Sequence, residues 1–245
     1  MRSPSPGMPQ TSPPPDAEAV RDLFERIAPS YDRLNDLLSL GLHRIWKRQA
    51  VAWLQPRPGQ RLLDLCCGTG DLALVLAEAV RPGGLVLGLD AAAAPLELAR
   101  RRGGRQPWLP VTFRQADALA TGLDDGEADG AVMAYGLRNL QDPATALVEL
   151  RRLLRPGGRA AVLDFNRPVE AAGRTAAFQR FYLRQVVVPL ARQAGLEAEY
   201  AYLEDSLRRF PTGPEQERLA LAAGFSAARH RRLAGGQMGL LQLVA

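Results

Sequence analysis

The amino-acid sequence predicts a doubly wound α/β fold, in which a mostly parallel sheet carries helices on both faces. Short apolar runs alternate along the chain with segments whose apolar residues recur at helical spacing. Pro-Gly-Gly turns at 82–84 and 156–158 end helical stretches and precede apolar runs. This alternation is typical of parallel sheets covered on both sides. A chain of 245 residues that is 47% hydrophobic can bury one large core.

The elements follow from these patterns in chain order. Apolar residues at helical spacing over 16–55 predict an N-terminal helical cap. Asp142 and Pro143 suit the N-cap and first position of a helix over 144–154. A mostly helical insertion over 166–222 follows strand five. Seven strands are predicted, over 62–65, 85–89, 111–113, 130–134, 160–165, 225–229 and 239–244.

Charge and cysteine content narrow the class of protein. The net charge is +5, but Lys47 is the only lysine, and the basic residues are not interleaved with aromatic ones. We therefore expect solvated charged faces and no nucleic-acid partner. Cys66 and Cys67 are adjacent, so they cannot form a disulfide framework, and a reducing, cytoplasmic location is expected. No apolar run approaches the ~18 residues of a membrane span.

A turn with two glycines, Gly68 and Gly70, joins the first strand to a helix. Glycines at such a turn allow a ligand to approach the backbone closely. The spacing of Gly68, Gly70 and Ala73, with Asp90 ending the second strand, satisfies the loose dinucleotide fingerprint. The turn alone therefore leaves a nicotinamide dinucleotide and other nucleotide cofactors open.

Carboxylates at three strand ends favour a cationic cofactor. Asp64 lies within the first strand, four residues before Gly68, where its charge would repel a pyrophosphate. A cofactor with ammonium and sulfonium groups would instead be attracted. Asp90 suits the ribose hydroxyls, and Asp117 with Ala118 suits the adenine edge.

Two further segments carry a resemblance to a known family. They are Phe24 to Asp36, continued by Gly41 to Arg48, and Tyr135 to Leu140. Both resemble signatures of the ubiquinone/menaquinone C-methyltransferase (UbiE/MenG) family, and the resemblance covers about residues 20 to 245. The segment Cys66 to Asp71 is most similar to the phylloquinone branch of cyanobacteria and plants.

The resemblance implies a class I methyltransferase fold with S-adenosyl-L-methionine as cofactor. The implied reaction is C-methylation of a prenylated naphthoquinol, either demethylphylloquinol or demethylmenaquinol. Benzoquinol methylation for ubiquinone, and a class I methyltransferase acting on another small molecule or RNA, remain alternatives, as does a NAD-binding reductase or a binding protein on the same fold. Expected cofactor-binding residues are Asp64, Gly68, Thr69, Gly70, Asp90, Asp117 and Ala118.

Three residues, Arg138, Asn139 and Tyr31, are predicted to be catalytic. Arg138 and Asn139 follow the fourth strand, where they are placed to stabilise a phenolate and orient the ring. Tyr31 is placed to pack over the cofactor. His43 is either a base or an ordinary helix residue, and His230 is expected on an edge strand. Two histidines and one cysteine pair offer no metal-ligand cluster, so no metal is expected.

The chain departs from the family pattern at two places. Ala134 stands where a polar residue often precedes the Tyr135 motif. Residues 91–94 are all alanine where a serine usually caps the next helix, which leaves that helix start without a side-chain oxygen.

The predicted organisation is a disordered tail over 1–15, rich in Pro and Ser, and a single methyltransferase domain over 16–245. The domain consists of the cap at 16–55, a cofactor-binding core at 56–165, the substrate insertion at 166–222 and the last strands at 223–245. A prenyl tail and the apolar stretch 178–190 predict peripheral membrane contact. A homodimer is an allowed assembly.

Overall fold

The computed structural model describes residues 18, 20–22, 25, 41–167 and 205–245. These residues contain a seven-stranded sheet in the order β3-β2-β1-β4-β5-β7-β6. Strands β1 to β5 pair with one another in parallel, and β7 is antiparallel to both β5 and β6. The strands are β1 (Arg61–Leu65), β2 (Leu85–Asp90), β3 (Val111–Gln115), β4 (Ala128–Ala134), β5 (Leu154–Phe165), β6 (Ala227–Leu233) and β7 (Met238–Val244). The predicted fold class is confirmed.

Five α-helices of 9 to 12 residues lie within the described ranges. They are α1 (His43–Leu54), α2 (Asp71–Ala79), α3 (Ala93–Gly104), α4 (Pro143–Leu153) and α5 (Gly213–Ala222). Helix α4 begins as predicted, with Asp142 accepting a hydrogen bond from Ala144 N and Pro143 in the first position. Helix α5 begins with a capping box between Thr212 and Glu215. Residues 18, 20–22, 25 and 205–209 are also helical.

The core has one layer on each face of the sheet, because side chains alternate along each strand. Leu63 and Leu65 of β1 pack on the face that α4 and α5 cover. Leu62 packs on the opposite face, against α1 and α2. Asp64 has the same parity as Leu62, so its carboxylate belongs to the face of α1 and α2.

Two predicted strand boundaries are wrong. The sixth strand, expected over 225–229, spans Ala227–Leu233. The start of the fifth strand differs as well. Residues 155–158 were expected to connect a helix to the fifth strand, but β5 already begins at Leu154. The register shifts between the pairs Ala128–Leu154 and Gly130–Arg159, so the Pro-Gly-Gly turn forms an irregularity within the strand. Gly157 lies in this turn in the left-handed region, at φ 78°. Its N–H donates to the carbonyl of Ala245, so a hydrogen bond connects the turn to the last residue of the chain.

Much of the predicted cap and insertion lies outside the described residues, namely 26–40 and 168–204, as does the tail over 1–15. The organisation predicted for these segments therefore stays a prediction. Among the described residues, no helix combines the length and apolar character needed to cross a membrane.

Candidate functional site

A cavity of about 320 Å³ opens at the carboxyl ends of β1 to β4. Strand β1 is flanked by β2 on one side and β4 on the other, so the strand order reverses here, where open α/β sheets bind ligands. The volume is in the range of small-molecule sites. The polar groups of the lining come from four strand ends and from α1; they include Lys47, Asp64, Thr69, Asp71, Asp90, Gln115, Asp117 and Asn139.

The glycine turn forms the floor of this cavity. Cys66, Gly68 and Gly70 all adopt positive φ, at 55°, 53° and 79°. Gly68 lines the cavity, whereas Gly70 does not. A Cβ on Gly70 would lie 2.8 Å from the ring of Phe113, so glycine is required there for packing as well as for backbone conformation. The cofactor contact predicted for Gly70 stays a prediction.

Asp64 is a buried carboxylate with one oxygen left over. It is 1% exposed, and its Oδ2 has no hydrogen-bond partner among the described residues. Burial raises the pKa of Asp64 well above its usual range, and the charge of nearby Asp71 adds to this, while Lys47 opposes it. An unpaired carboxylate at a cavity wall is costly unless a cation occupies the cavity. The site therefore fits a cofactor with a positively charged end.

Asp90 ends β2 at the opposite wall. Its Oδ2 accepts from Gly68 N at 2.8 Å, and its Oδ1 accepts from Ala92 N at 2.9 Å. Burial raises the pKa of Asp90, although these backbone hydrogen bonds oppose the rise. The two bonds fix the carboxylate and leave lone pairs for the hydroxyls of a ribose.

The two residues predicted to bind the adenine edge also line the cavity. Asp117 lies two residues beyond the end of β3, and its Oδ1 accepts from Leu119 N at 2.9 Å. Asp117 and the buried Ala118 both line the cavity. Thr69 lines it as well, and its hydroxyl accepts a hydrogen bond from the guanidinium of Arg102 at 2.9 Å. The six other predicted cofactor residues thus share one cavity.

Lys47 is a site residue that sequence reasoning did not select. Its ammonium pairs with Asp71 at 2.5 Å and lies 5.6 Å from the centre of the Tyr135 ring. It extends from α1 into the cavity wall beside Asp64. The signal was available, because Lys47 is the only lysine of the chain and lies within the first family signature.

The predicted catalytic residues have different positions. Asn139 lines the cavity and donates its Nδ2 to the Tyr135 carbonyl at 2.8 Å. Arg138 does not line the cavity and is 8% exposed. Tyr31 lies outside the described residues.

Arg138 is held by a buried ion pair. Its Nε donates to Asp164 Oδ1 at 3.2 Å, its backbone N donates to Asp164 Oδ2 at 3.0 Å, and Nη1 donates to Ser206 Oγ at 2.6 Å. Its carbon Cζ lies 5.6 Å from the centre of the Phe165 ring. The sequence also allows a purely structural role, in which Arg138 pairs with an acid such as Asp32 or Asp142. Arg138 does pair with an acid, but that acid is Asp164. Asp142 instead caps α4, and Asp32 lies outside the described residues.

The cysteines and histidines give no second chemical centre in the described part of the chain. Burial raises the pKa of both thiols, Cys66 and Cys67, and the surrounding aspartates add to the rise, so both are neutral at pH 7. His43 is the buried first residue of α1, and His230 lies on the edge strand β6 as predicted. No cluster of three metal-binding side chains occurs among the described residues.

The start of α3 corrects another expectation. Four alanines were expected to leave this helix without a side-chain oxygen. Instead, the Glu25 carboxylate accepts from Ala93 N at 2.5 Å and from Ala94 N at 2.8 Å. The missing local cap is replaced by a residue 68 positions earlier in the chain.

Comparison with curated proteins finds relatives along almost the whole chain. A Synechocystis protein named 2-phytyl-1,4-naphtoquinone methyltransferase is 50% identical over 93% of this chain and 95% of its own length. A protein of the same name from Thermosynechococcus vestitus is 51% identical over 90% of this chain and 96% of its own. The Arabidopsis thaliana 2-phytyl-1,4-beta-naphthoquinone methyltransferase, described as chloroplastic, is 46% identical over 90% and 85%.

Solved structures share the fold at much lower identity. A SAM-dependent methyltransferase from Aquifex aeolicus has a TM-score of 0.60 at 16% identity and covers 94% of this chain and 98% of its own. Haemonchus contortus phosphoethanolamine N-methyltransferase 2, solved with S-adenosyl-L-methionine, has a TM-score of 0.64 at 17% identity over 87% of this chain and 46% of its own. This likeness supports the class I methyltransferase fold.

The family model of the ubiE/COQ5 methyltransferases matches residues 14–242. This range contains every residue that lines the cavity. The chain therefore belongs to the ubiE/COQ5 methyltransferase family and is an S-adenosylmethionine-dependent methyltransferase.

Proposed function

We propose that the protein methylates a ring carbon of a prenylated 1,4-naphthoquinol, as a step of phylloquinone synthesis. The observation that carries the substrate is the 46–51% identity, over at least 90% of the chain, to relatives named for 2-phytyl-1,4-naphthoquinone. The geometry supports the reaction type, because the cavity combines an unpaired buried acid with the strand-end acids that suit a nucleoside.

Different residues of the cavity are proposed to bind different parts of the cofactor. S-adenosylmethionine supplies an electrophilic methyl group when bound. Asp64 pairs with its positively charged amino-acid end, since the Asp64 carboxylate otherwise lacks a partner for Oδ2. Asp90 accepts the ribose hydroxyls, and Asp117 with the Ala118 backbone holds the adenine edge.

The substrate must be the reduced quinol, because only an electron-rich ring carbon attacks a sulfonium methyl. A C–C bond forms as the C–S bond breaks, and the ring carbon then loses its proton to restore the aromatic ring. The protein's contribution is alignment and stabilisation of phenolate character during attack. Asn139, at the cavity wall next to Gly136, is placed to orient the ring.

Arg138 is proposed to stabilise the quinol oxygen from just behind this wall. Asp164 and Ser206 fix Nε and Nη1, and Nη2 makes no hydrogen bond with the described residues. A guanidinium pinned in this way is preorganised, so its free edge can receive developing negative charge without reorganising. Arginine stays protonated, so the quinol proton leaves through water.

The test is methyl transfer from labelled S-adenosylmethionine to a panel of demethylated naphthoquinols and benzoquinols, kept reduced, with mass analysis of the ring. We expect label on a ring carbon of naphthoquinols and none on the oxidised quinones. Preferred benzoquinol methylation, label on a hydroxyl oxygen or equal reaction of quinone and quinol would contradict the proposal.

Peripheral membrane contact is part of the same proposal, because a prenyl tail partitions into lipid. The stretch 178–190 predicted to make this contact lies outside the described residues. Flotation with liposomes that carry substrate should retain the protein in the lipid fraction, and a complete absence of retention would contradict it. The allowed homodimer is checked by sedimentation of the same sample.

A further inference from the structure

The contact between Glu25 and the first turn of α3 joins two parts of the chain that are far apart in sequence. Both carboxylate oxygens are used, one on Ala93 N and one on Ala94 N. Helix N-termini leave such N–H groups without intrahelical partners, and a negative charge there is favoured by the helix dipole. The N-cap residue itself, Ala92, supplies no side-chain oxygen.

This contact lies at the rim of the cofactor cavity. Ala92 and Pro95, on either side of the two bonded amides, both line the cavity. Val20 and Arg21, one helical turn or so before Glu25, line it as well. Glu25 itself does not line the cavity, so it binds the rim and not the cofactor.

Glu25 also acts electrostatically on the ribose-binding acid. Burial is the largest cause of the raised pKa of Asp90, and the charge of Glu25 adds to it. The start of α3 is thus divided between two carboxylates, with Asp90 taking Ala92 N and Glu25 taking the next two amides. A displacement of the Glu25 side chain would therefore change the electrostatic surroundings of Asp90.

We propose that Glu25 is a positioning residue that fastens Val20 and Arg21 at the wall of the cofactor cavity and thereby slows cofactor release. Val20 and Arg21 form part of the cavity wall only while Glu25 is docked on α3. Residues 91–94 are all alanine and offer no side-chain oxygen to the helix start, so the amides of Ala93 and Ala94 are available to Glu25. The inference concerns cofactor retention and does not depend on the quinol proposal.

The simplest rival is that Glu25 is only a remote helix cap. Three variants separate the two roles: Glu25→Ala, the control Asp22→Ala on the same exposed segment, and the double variant Glu25→Ala/Ala93→Asp. The Ala93 side chain is exposed and outside the cavity lining, so Asp at this position returns negative charge to the helix start without connecting it to residues 18–25. Glu25→Gln, which keeps an acceptor oxygen, serves if Glu25→Ala folds poorly.

The measurements are melting temperature without ligand, the release rate of S-adenosylhomocysteine, and tryptic cleavage after Arg21. We expect Glu25→Ala to speed release by roughly five- to tenfold, since lost contacts act mainly on dissociation. Cleavage after Arg21 should also increase relative to cleavage at residues 100–102 of α3. Asp22→Ala should leave the release rate unchanged; it is a control for release only, because Asp22 follows the Arg21 bond that trypsin cuts. The double variant should recover melting temperature but keep fast release and the excess cleavage after Arg21.

Two results would overturn the proposal. One is unchanged release in a folded Glu25→Ala or Glu25→Gln protein. The other is recovery of both release and the Arg21 cleavage ratio in the double variant, which would make Glu25 a helix cap only. If the double variant stays less stable than the wild type, the ratio of cleavage after Arg21 to cleavage at 100–102 distinguishes the two roles. A global loss of stability would increase cleavage at both sites together and leave this ratio unchanged.

Discussion

Two strand-end aspartates, Asp64 of β1 and Asp164 of β5, are almost equally buried but have opposite surroundings. Asp64 is 1% exposed and Asp164 is 3% exposed, and burial raises the pKa of both. Asp164 has a cation inside the protein, because Arg138 donates to both of its oxygens. Asp64 has an oxygen without a partner in the described structure and faces the cavity.

The difference supports the proposal that Asp64 is kept for a ligand, whereas Asp164 is part of an ion pair within the protein. A buried ion pair that loses one member leaves a costly unpaired charge. Asp64 is in that state until a positively charged group enters, so the folded protein bears a cost there that cofactor binding removes. On this proposal, a ligand with a positive charge removes the cost of the unpaired carboxylate, and a neutral or anionic ligand does not. Binding is then selective for cations.

The largest effect is expected for a variant that breaks the ion pair between Arg138 and Asp164. Arg138→Ala should lower single-turnover methyl transfer by about 10²–10³, as for the loss of one preorganised donor, while cofactor affinity stays within a few-fold. It should also destabilise the protein by about 3–5 kcal/mol, because Asp164 is left unpaired. Arg138→Lys should rescue only partly, since a point charge lacks the planar fork.

A matched control separates these two consequences. Leu150→Ala removes a fully buried side chain of α4 and should cost about 2–5 kcal/mol without touching the site. Both variants are compared well below their melting temperatures. If Leu150→Ala loses as much transfer as Arg138→Ala, or if Arg138→Ala transfers at a near-normal rate, Arg138 has no role in the reaction.

Asp90 lies between the two extremes, because both oxygens accept backbone hydrogen bonds but still face the cavity. Asp90→Ala should weaken S-adenosylmethionine binding by roughly ten- to a hundredfold, corresponding to about 1.5–3 kcal/mol for a charge-assisted acceptor. Titration calorimetry measures this. Unchanged affinity in a folded variant would remove Asp90 from the ribose site.

Neither the pairing of Arg138 with Asp164 nor the docking of Glu25 could be predicted from local sequence. Strand ends and the glycine turn are local patterns, so Asp64 and Asp90 were found with their strands. Asp164 repeats the same pattern at the end of β5 and could have been selected. Its partner is 26 residues away, however, and Glu25 acts over 68 residues, so packing of the whole chain decides both.

The pH dependence of S-adenosylmethionine binding gives a further test of the role of Asp64. Burial raises the pKa of Asp64 in the cofactor-free protein, and a bound cation lowers it again. The free protein then holds the extra proton, so affinity should fall as pH drops through the raised pKa, by at most tenfold per unit. The charges of Asp71 and Asp90 add to the raised pKa of Asp64, and the charge of Lys47 opposes it.

The control for this profile is Asp64→Asn, which should flatten it. A variant profile as steep as that of the wild type would assign the proton to another group, with Asp90 the next candidate because its pKa is also raised. The sign for stability is opposite to that for binding. The proton on Asp64 stabilises the cofactor-free fold at low pH, and this contribution is lost as pH rises through the raised pKa.

The most direct test of the central claim compares Asp64→Asn with Asp164→Asn at pH 7. Melting temperature without cofactor and S-adenosylmethionine affinity are measured on both. Asp64→Asn should raise the melting temperature, by about 2–4 °C for each kcal/mol gained, and weaken binding at least roughly tenfold. Asp164→Asn should lower the melting temperature and leave affinity within a few-fold. A lower melting temperature or unchanged affinity in Asp64→Asn would contradict the claim that this carboxylate is kept for the cofactor.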